Sequence, residues 1–249
     1  MKSRYGISID VVASLDGRFD AFNESPLDHS GAFRREIASI AACRLRYCPE
    51  CESSVSRMCG CKAGAQLAAL SQRNRLSGIA PATLKRIHAV VAADLASRGS
   101  FRVGSVVVGQ KVPETAFVSA RINVEKHLKE CAPWFHRQST QVRVAFVMYV
   151  MSILHPFEDG NGRVMRALIT MLAVEGDRGS AQICFLAVYT KLRQREFVSA
   201  VQWLSEGSIG QLEEFFRQAV GDFQRMELEF SAVRGAVGYW FDSQFAETM

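Results

Sequence analysis

The sequence contains no long apolar run. Its longest, about Val144–Leu154, is interrupted by Ser152 and is far shorter than the roughly 20 residues that a bilayer-spanning helix needs. The first ten residues also lack the apolar core and the small-residue cleavage site of a secretory signal peptide. We therefore expect no membrane span and no membrane partner, and we predict a cytoplasmic chain. Specialised delivery to another cell as an effector is compatible with the same features.

A strong charge of either sign is also absent. The chain has 30 Lys and Arg against 25 Asp and Glu, a formal net charge of +5, which is too weak to predict a nucleic-acid partner by itself. An anionic small molecule would suit this charge equally well. The chain has no internal repeat or low-complexity tract, and its hydrophobic share of 48% is that of a globular protein. Disordered and fibrous classes are therefore excluded for the chain as a whole.

The cysteines do not form a disulfide pattern, because there are seven and most of them fall in one short segment. Cys48 and Cys51 have the C-x₂-C spacing of a zinc knuckle, and Cys59 and Cys61 would complete a four-sulfur Zn²⁺ site, with Cys43 as a substitute ligand. The second pair is tighter than usual, and free thiols in a reducing compartment also explain the cluster. Both interpretations stay open.

The composition and the apolar spacing change along the chain and predict three regions. Residues 1–70 form a mixed N-terminal extension, with a hairpin over Ile7–Phe22 and an amphipathic helix over Ser30–Tyr47 that enters the cysteine cluster. Residues 71–235 are mainly helical, and residues 236–249 form a C-terminal tail.

The helical region predicts an all-α body with one small β-hairpin. The apolar spacing predicts a helix over Thr83–Ala96, and the Val-rich segment Phe101–Ala120 predicts the hairpin. The next helix is expected to break at Pro133. A helix from about Gln141 is apolar on nearly every side, so we expect it to be central and buried, and to stop at His155–Pro156. Further helices are predicted over Asn161–Val174, Leu192–Leu204 and Ile209–Phe230.

Four other residues are assigned by their surroundings alone. His127 and His136 lie in a polar segment without ligand spacing, so we predict surface positions for both. Phe146 and Tyr149 have helical spacing on the apolar helix, which predicts core positions rather than a cofactor site.

The segment between the buried helix and the next one is His155–Arg166, HPFEDGNGRVMR. Pro156 ends the incoming helix, and Gly160 and Gly162 permit backbone angles that other residues avoid. The sequence therefore predicts a tight loop that leads into a helix N-terminus, where unpaired N–H groups and the helix dipole bind anions such as phosphate.

The side chains of this segment suit phosphoryl or nucleotidyl transfer. Arg163 and Arg166 are three residues apart on one helix face and can grip phosphate oxygens. Asp159 offers the hard oxygen that Mg²⁺ prefers. His155 has an ordinary pKa near neutrality, as required of a group that accepts a hydroxyl proton.

This segment resembles the signature H-x-F-x-(D/E)-G-N-G-R-x-x-R of the Fic family. The specified positions are all matched, by His155, Phe157, Asp159, Gly160, Asn161, Gly162, Arg163 and Arg166. A Gly-Ser-Phe-Arg segment at Gly99–Arg102 and an R-x-F-x-x-A-V pattern between Arg193 and Val201 extend the resemblance to about residues 75–230. The first 70 residues are not covered by it.

The resemblance implies a protein adenylyltransferase, which moves AMP from ATP to a Ser, Thr or Tyr hydroxyl of a target protein. By this resemblance His155 would be the general base and Asp159 would hold Mg²⁺. The backbone of Gly160–Gly162 and the Asn161 side chain would line the anion site. Arg163 and Arg166 would hold the β and γ phosphates.

Two further expectations come from the same resemblance. Phe157 would anchor the loop, and the hairpin would be a flap on which the target segment docks as an added strand. The expected docking edge consists of Arg102, Val103, Gly104, Ser105, Val106, Val107 and Val108.

Many Fic proteins are restrained by a helix bearing (S/T)-x-x-x-E-(G/N), and no glutamate here matches that pattern in full. Glu175-Gly176 and Glu206-Gly207 lack the upstream Ser or Thr, and the Ser243–Glu247 pair is followed by Thr248. Three explanations stay open. The protein would be constitutively active, a separate antitoxin-like partner would supply the inhibitory helix, or Ser243–Glu247 would be a degenerate internal version of the inhibitory motif.

Two other functions fit the sequence. Members of the Fic family with a similar site move UMP, phosphate or phosphocholine, or remove AMP, and the chain would be an enzyme of this kind. In a different class, the chain would be a non-catalytic binding module stabilised by zinc at its N-terminal region.

Overall fold

In a computed structural model, the structure describes residues 78–93, 95–108, 117–119, 123–175 and 181–232. The N-terminal extension, its cysteine cluster and the C-terminal tail lie outside these residues. The described helices are α1 Pro81–Val91, α2 Val124–Phe135, α3 Thr140–Tyr149, α4 Asn161–Glu175, α5 Ala181–Leu192, α6 Gln194–Ser205 and α7 Gly210–Ala232; the strands are β1 Val106–Val108 and β2 Phe117–Ser119.

Helix α1 begins and ends earlier than its apolar spacing predicts. Pro81 stands in its first turn, where a missing N–H costs nothing because that group has no helical partner. Leu84, Ile87 and Val91 are fully buried on one face. The helix ends at Val91, and turns then lead to Gly99, which adopts a positive φ of 76°.

The predicted hairpin is present and short. Strands β1 and β2 pair antiparallel with Val107 opposite Val118. β1 begins at Val106, so Arg102–Ser105 precede the strand, and the expected edge of the flap is longer than the strand that forms it.

Two predictions about helix α2 are wrong. The helix does not break at Pro133 but continues to Phe135, because a proline so near the C-terminus removes a single backbone hydrogen bond while Phe135 gains a fully buried position. His127 is 8% exposed and its ring lies 3.7 Å from Cys131 Sγ, so it is not a surface residue. His136 is exposed as predicted.

Helix α3 is buried on nearly all sides, as its composition predicts. Phe146 and Tyr149 are core residues. Ser139 caps the helix by accepting a hydrogen bond from the Val142 N–H. Its last turn widens into a π-helical turn, Val150–Leu154.

Helix α4 lies at the centre of the described helices and packs against α1, α3 and α5, while α6 packs against α7. One continuous apolar core joins these helices. The prediction of an all-α body with a small hairpin is therefore confirmed.

Candidate active site

The loop between α3 and α4 starts from an unusual helix end. The His155 N–H donates to the Val150 carbonyl at 3.0 Å, the five-residue spacing of a π turn. His155 then takes left-handed angles, φ 49° and ψ 64°, and among the described residues other than glycine it alone has a positive φ. Such conformations are costly and are found at functional sites where the surroundings enforce them.

The His155 ring is held in one orientation by the preceding turn. Its Nδ1 lies 3.4 Å from the Ser152 carbonyl oxygen. Because a carbonyl only accepts, the ring proton resides on Nδ1 and Nε2 carries the lone pair. Burial lowers the pKa of His155 to about 4, since a low-dielectric environment disfavours the charged imidazole. The His155 imidazole is therefore neutral at physiological pH.

Arg102 lies under this loop and its side chain points inward. It is 5% exposed, and its guanidinium donates to the carbonyls of His155 at 2.7 Å, of Leu154 at 3.0 Å and of Gly104. Its own N–H donates to the Pro156 carbonyl at 3.0 Å. A cation at the C-terminal end of a helix also suits the helix dipole. The expectation that Arg102 belongs to the docking edge is therefore corrected: it secures the carbonyls around His155.

Phe157 lies in the core beneath the loop. It is fully buried, and its ring stacks on that of His88 from α1 with centroids 3.9 Å apart and planes 3° from parallel. Phe101 packs beside it at 5.2 Å. The loop is therefore fixed to α1 and to the segment that leads into the hairpin.

The Asn161 side chain does not line an anion site, contrary to expectation. Its Oδ1 accepts from the Phe157 N–H at 3.0 Å and its Nδ2 donates to the Phe157 carbonyl at 2.8 Å. Both Phe157 backbone groups lie outside regular structure and are buried, so they require such partners. The Asn161 side chain therefore holds the backbone of the loop in place.

The start of α4 has the form of an anion cradle. Gly160 has a φ of 80°, and its carbonyl accepts the first helical bond, from Val164. The N–H groups of residues 161–163 therefore belong to the first turn of the helix, the position at which helices bind anions. Gly162 is exposed, so an anion can reach this terminus.

The two arginines of the motif flank this terminus. A Cβ placed on Gly162 would lie 3.3 Å from Arg166 Nη1, which shows that the Arg166 side chain runs back along the first turn, the usual direction of long side chains on a helix. Arg163 Nη1 donates to the Val91 carbonyl at the end of α1. A guanidinium has five N–H donors, so this bond is compatible with phosphate binding by the same side chain.

Asp159 is exposed beside the cradle, and its Oδ1 accepts from the Gly160 N–H at 2.6 Å. A single exposed carboxylate next to a phosphate site is the donor set that Mg²⁺ commonly uses, with substrate oxygens and water completing the shell. These residues fit a magnesium ion that binds together with a nucleotide.

Sequence reasoning missed His88, which contacts both Phe157 and the Asp159 carbonyl. Its spacing held a usable signal, because His88 falls four residues after Leu84 and three before Val91 on the buried stripe of α1. The inward role of Arg102 had no such signal, since its partners at Leu154 and His155 are more than fifty residues away in the chain.

The fold and the site together define a helical protein in which one short loop connects a histidine to a helix N-terminus flanked by two arginines. Residues 78–173 match the Fic/DOC family model, and these residues form a Fic/DOC-family domain. The chain is similar to protein adenylyltransferase fic-1 of Caenorhabditis elegans, with 34% identity over 85 residues, which are 32% of this chain and 16% of that relative.

A solved structure has the same fold. The crystal structure of a Fic family protein from Desulfovibrio desulfuricans G20 superimposes with a TM-score of 0.55 at 17% identity, over 89% of this chain and 77% of that one. Within the residues described, no helix is long and apolar enough to cross a membrane, and no group of three or more His, Cys, Asp and Glu side chains could hold a metal ion.

Proposed function

We propose that the protein is a protein adenylyltransferase, which transfers AMP from ATP to a Ser, Thr or Tyr hydroxyl of a target protein. One observation carries this proposal: a histidine with a lowered pKa and an exposed helix N-terminus flanked by two arginines are held together by a single short loop. The similarity to a protein named adenylyltransferase supports the same reaction.

In this proposal, His155 is the general base. Its Nε2 takes the proton of the target hydroxyl, and the oxygen attacks the α-phosphorus of ATP. The P–O bond to the β-phosphate breaks and pyrophosphate leaves. The bond between His155 Nδ1 and Ser152 keeps the basic nitrogen on the side away from the turn.

The start of α4 and the motif arginines bind the leaving phosphates. Backbone N–H groups of residues 161–163 and the guanidinium groups of Arg163 and Arg166 offset the negative charge that develops on pyrophosphate. Asp159 would hold Mg²⁺, which neutralises phosphate charge when bound.

The hairpin is proposed to receive the target segment. The Arg102 N–H bonds to Pro156, so the segment that leads to β1 runs directly beside the catalytic turn. Val103 and Val107 are 78% and 46% exposed and offer apolar contacts to a docked strand, with Gly104, Ser105, Val106 and Val108 completing the edge.

Label transfer tests the proposal. The protein is incubated with a cell lysate and ATP labelled at the α-phosphate, beside a parallel reaction labelled at the γ-phosphate. Relative to lysate without the added protein, we expect an increase in the α label only, because kinases of the lysate transfer γ label by themselves. We expect His155→Ala to reduce this increase by roughly 10² to 10⁴-fold, the usual worth of a general base. Undiminished transfer by His155→Ala would contradict the assignment.

The same experiment separates the alternatives. An increase in the γ label would indicate a phosphotransferase, and transfer from labelled UTP or CDP-choline would indicate another donor. No turnover, together with salt-dependent binding of RNA or DNA, would favour a binding module. A zinc site at the cysteine cluster, regulation by Ser243–Glu247 or a separate inhibitor, and action in the cytoplasm or as a delivered effector remain proposals.

A further inference from the structure

A buried histidine outside the motif contacts the loop at its metal-binding end. His88 is 0% exposed, and its ring covers Phe157 face to face at 3.9 Å. Its Nε2 lies 3.0 Å from the carbonyl oxygen of Asp159, 71 residues further along the chain. The ring therefore connects α1 to the loop residue whose carboxylate fits magnesium.

The two nitrogens of His88 have opposite partners. The Gly99 N–H donates to Nδ1 at 2.7 Å, so Nδ1 must carry a lone pair. The Asp159 carbonyl only accepts, so Nε2 must carry the proton. The neutral ring with its proton on Nε2 is the one state that satisfies both partners.

The contact between His88 and the loop is close. Gly160 follows Asp159, and a Cβ placed on Gly160 would lie 2.9 Å from His88 Nε2. The positive φ of Gly160 and the absence of its side chain let the loop turn at this point. His88 therefore lies at the corner where the loop turns into α4. The backbone at this corner sets the orientation of the Asp159 carboxylate and of the first N–H groups of α4.

We propose that His88 is a positioning residue that orients Asp159 and the start of α4 for the magnesium–nucleotide complex. It acts through the Asp159 carbonyl and does not touch the substrate. The proposal rests on the proposed function, because that function identifies the nucleotide as the ligand of this corner.

Two substitutions separate the two hydrogen bonds. The amide of glutamine reaches the place of Nε2 and can donate to Asp159, whereas the shorter asparagine reaches the place of Nδ1 and can accept from Gly99. Both lose the stack on Phe157, and each keeps one of the two hydrogen bonds, so their difference shows which of the two bonds the nucleotide site needs. We expect His88→Asn to raise KM for Mg·ATP roughly tenfold with little change in kcat, and His88→Gln to recover most of this loss.

A second buried histidine serves as the control. His127 lies on α2 with its ring near Cys131 of the same helix. His127→Asn should lower thermal stability without changing KM for Mg·ATP. Equal KM values for the Asn and Gln variants of His88, or a loss confined to kcat, would overturn the proposal.

A measurement on the unsubstituted protein keeps the proposal testable if these variants do not fold or if no group transfer is found. The ¹⁵N chemical shifts of labelled histidine report the tautomer of His88, and we expect the Nε2–H form at neutral pH. A proton on Nδ1 would overturn the proposal. Calorimetric binding of Mg·ATP by the His88 variants reports the same loss of affinity without turnover, so failure of the transfer reaction is distinguished from failure of the positioning role.

Discussion

At the scale of single residues, the site depends on a histidine that stays neutral. Burial lowers the pKa of His155 to about 4 from an ordinary 6.5. A general base acts in its unprotonated form, so the proposed activity should be present above the lowered pKa and be lost as the pH falls through it. The acid limit of the proposed reaction should therefore lie at a lower pH than it would with an exposed histidine.

This shift predicts a flat pH profile. Because kcat/KM reports the pKa values of the free enzyme, we expect it to stay constant from about pH 5 to about pH 8. Initial rates of label transfer across buffers of matched ionic strength test this. A fall in kcat/KM centred near pH 6.5 would contradict the burial of the base.

Alanine substitutions at two glycines distinguish the effect of backbone strain from the effect of a close contact. Gly160 and Gly207 have positive φ values of 80° and 89°, but a Cβ would meet His88 Nε2 at 2.9 Å at Gly160 and no atom within 4 Å at Gly207. We expect Gly207→Ala to lower the free energy of unfolding by roughly 1 to 2 kcal/mol because a Cβ is strained at such angles, and Gly160→Ala to lower it further because its Cβ also meets His88.

Only Gly160→Ala should also weaken nucleotide binding, by roughly tenfold or more, since the corner at His88 must shift. Chemical unfolding and calorimetric titration with Mg·ATP give the two quantities. Equal nucleotide affinity in both variants would show that the close contact between Gly160 and His88 does not affect nucleotide binding.

At the scale of elements, the end of α3 determines where the base lies. The π turn Val150–Leu154 and the left-handed His155 turn the chain out of the helix, and the Arg102 guanidinium donates to the Leu154 and His155 carbonyls. Burial lowers the pKa of Arg102, but an arginine keeps its charge at any physiological pH.

Removing this support should misplace the base without removing it. We expect Arg102→Ala to lower kcat roughly 10²-fold, the scale of a misplacement of about 1 Å, with a smaller change in KM for ATP. Arg102→Lys should recover little, since one ammonium cannot reproduce the planar fork of donors. Arg217→Ala, at an exposed arginine paired with Glu214 on α7, is the control. A stability loss with unchanged kcat would contradict this role.

The elements also show where sequence reasoning succeeds. Apolar periodicity located α1, α3 and α7, and Val-rich composition located the hairpin, because these signals are local. The sequence wrongly predicted a helix break at Pro133, where the burial of Phe135 outweighs one lost backbone hydrogen bond. It did not predict the π turn, because such a turn has no sequence pattern of its own. Within the site, the motif predicted which residues lie together around the loop, but the contacts of Asn161 and Arg102 form only after folding and have no local signal.

At the scale of the whole molecule, the domain is completed by helices beyond the family match at residues 78–173. Helices α5 and α7 pack together, and the Tyr189 hydroxyl donates to Asp222 Oδ2 at 2.9 Å inside this interface. Asp222 is 5% exposed and also pairs with Arg225. A buried carboxylate of this kind requires its donors.

This interface predicts a change in stability alone. Tyr189→Phe leaves one carboxylate oxygen without its hydroxyl donor, and we expect a loss of about 1 to 3 kcal/mol in the free energy of unfolding. Neither residue belongs to the motif loop, so kcat and KM should stay at their original values. Denaturant unfolding and initial rates measure both, and a changed KM with unchanged stability would be the contrary result.

The central claim is that one short loop binds the triphosphate against the start of α4 with His155 Nε2 facing the α-phosphate. A crystal structure of the protein with Mg²⁺ and a non-hydrolysable ATP analogue tests it most directly. We expect the β and γ phosphates on the N–H groups of residues 161–163 and on Arg163 and Arg166, with the ion on Asp159. Nucleotide bound elsewhere, or a neighbouring side chain that keeps nucleotide out of the loop, would refute this placement.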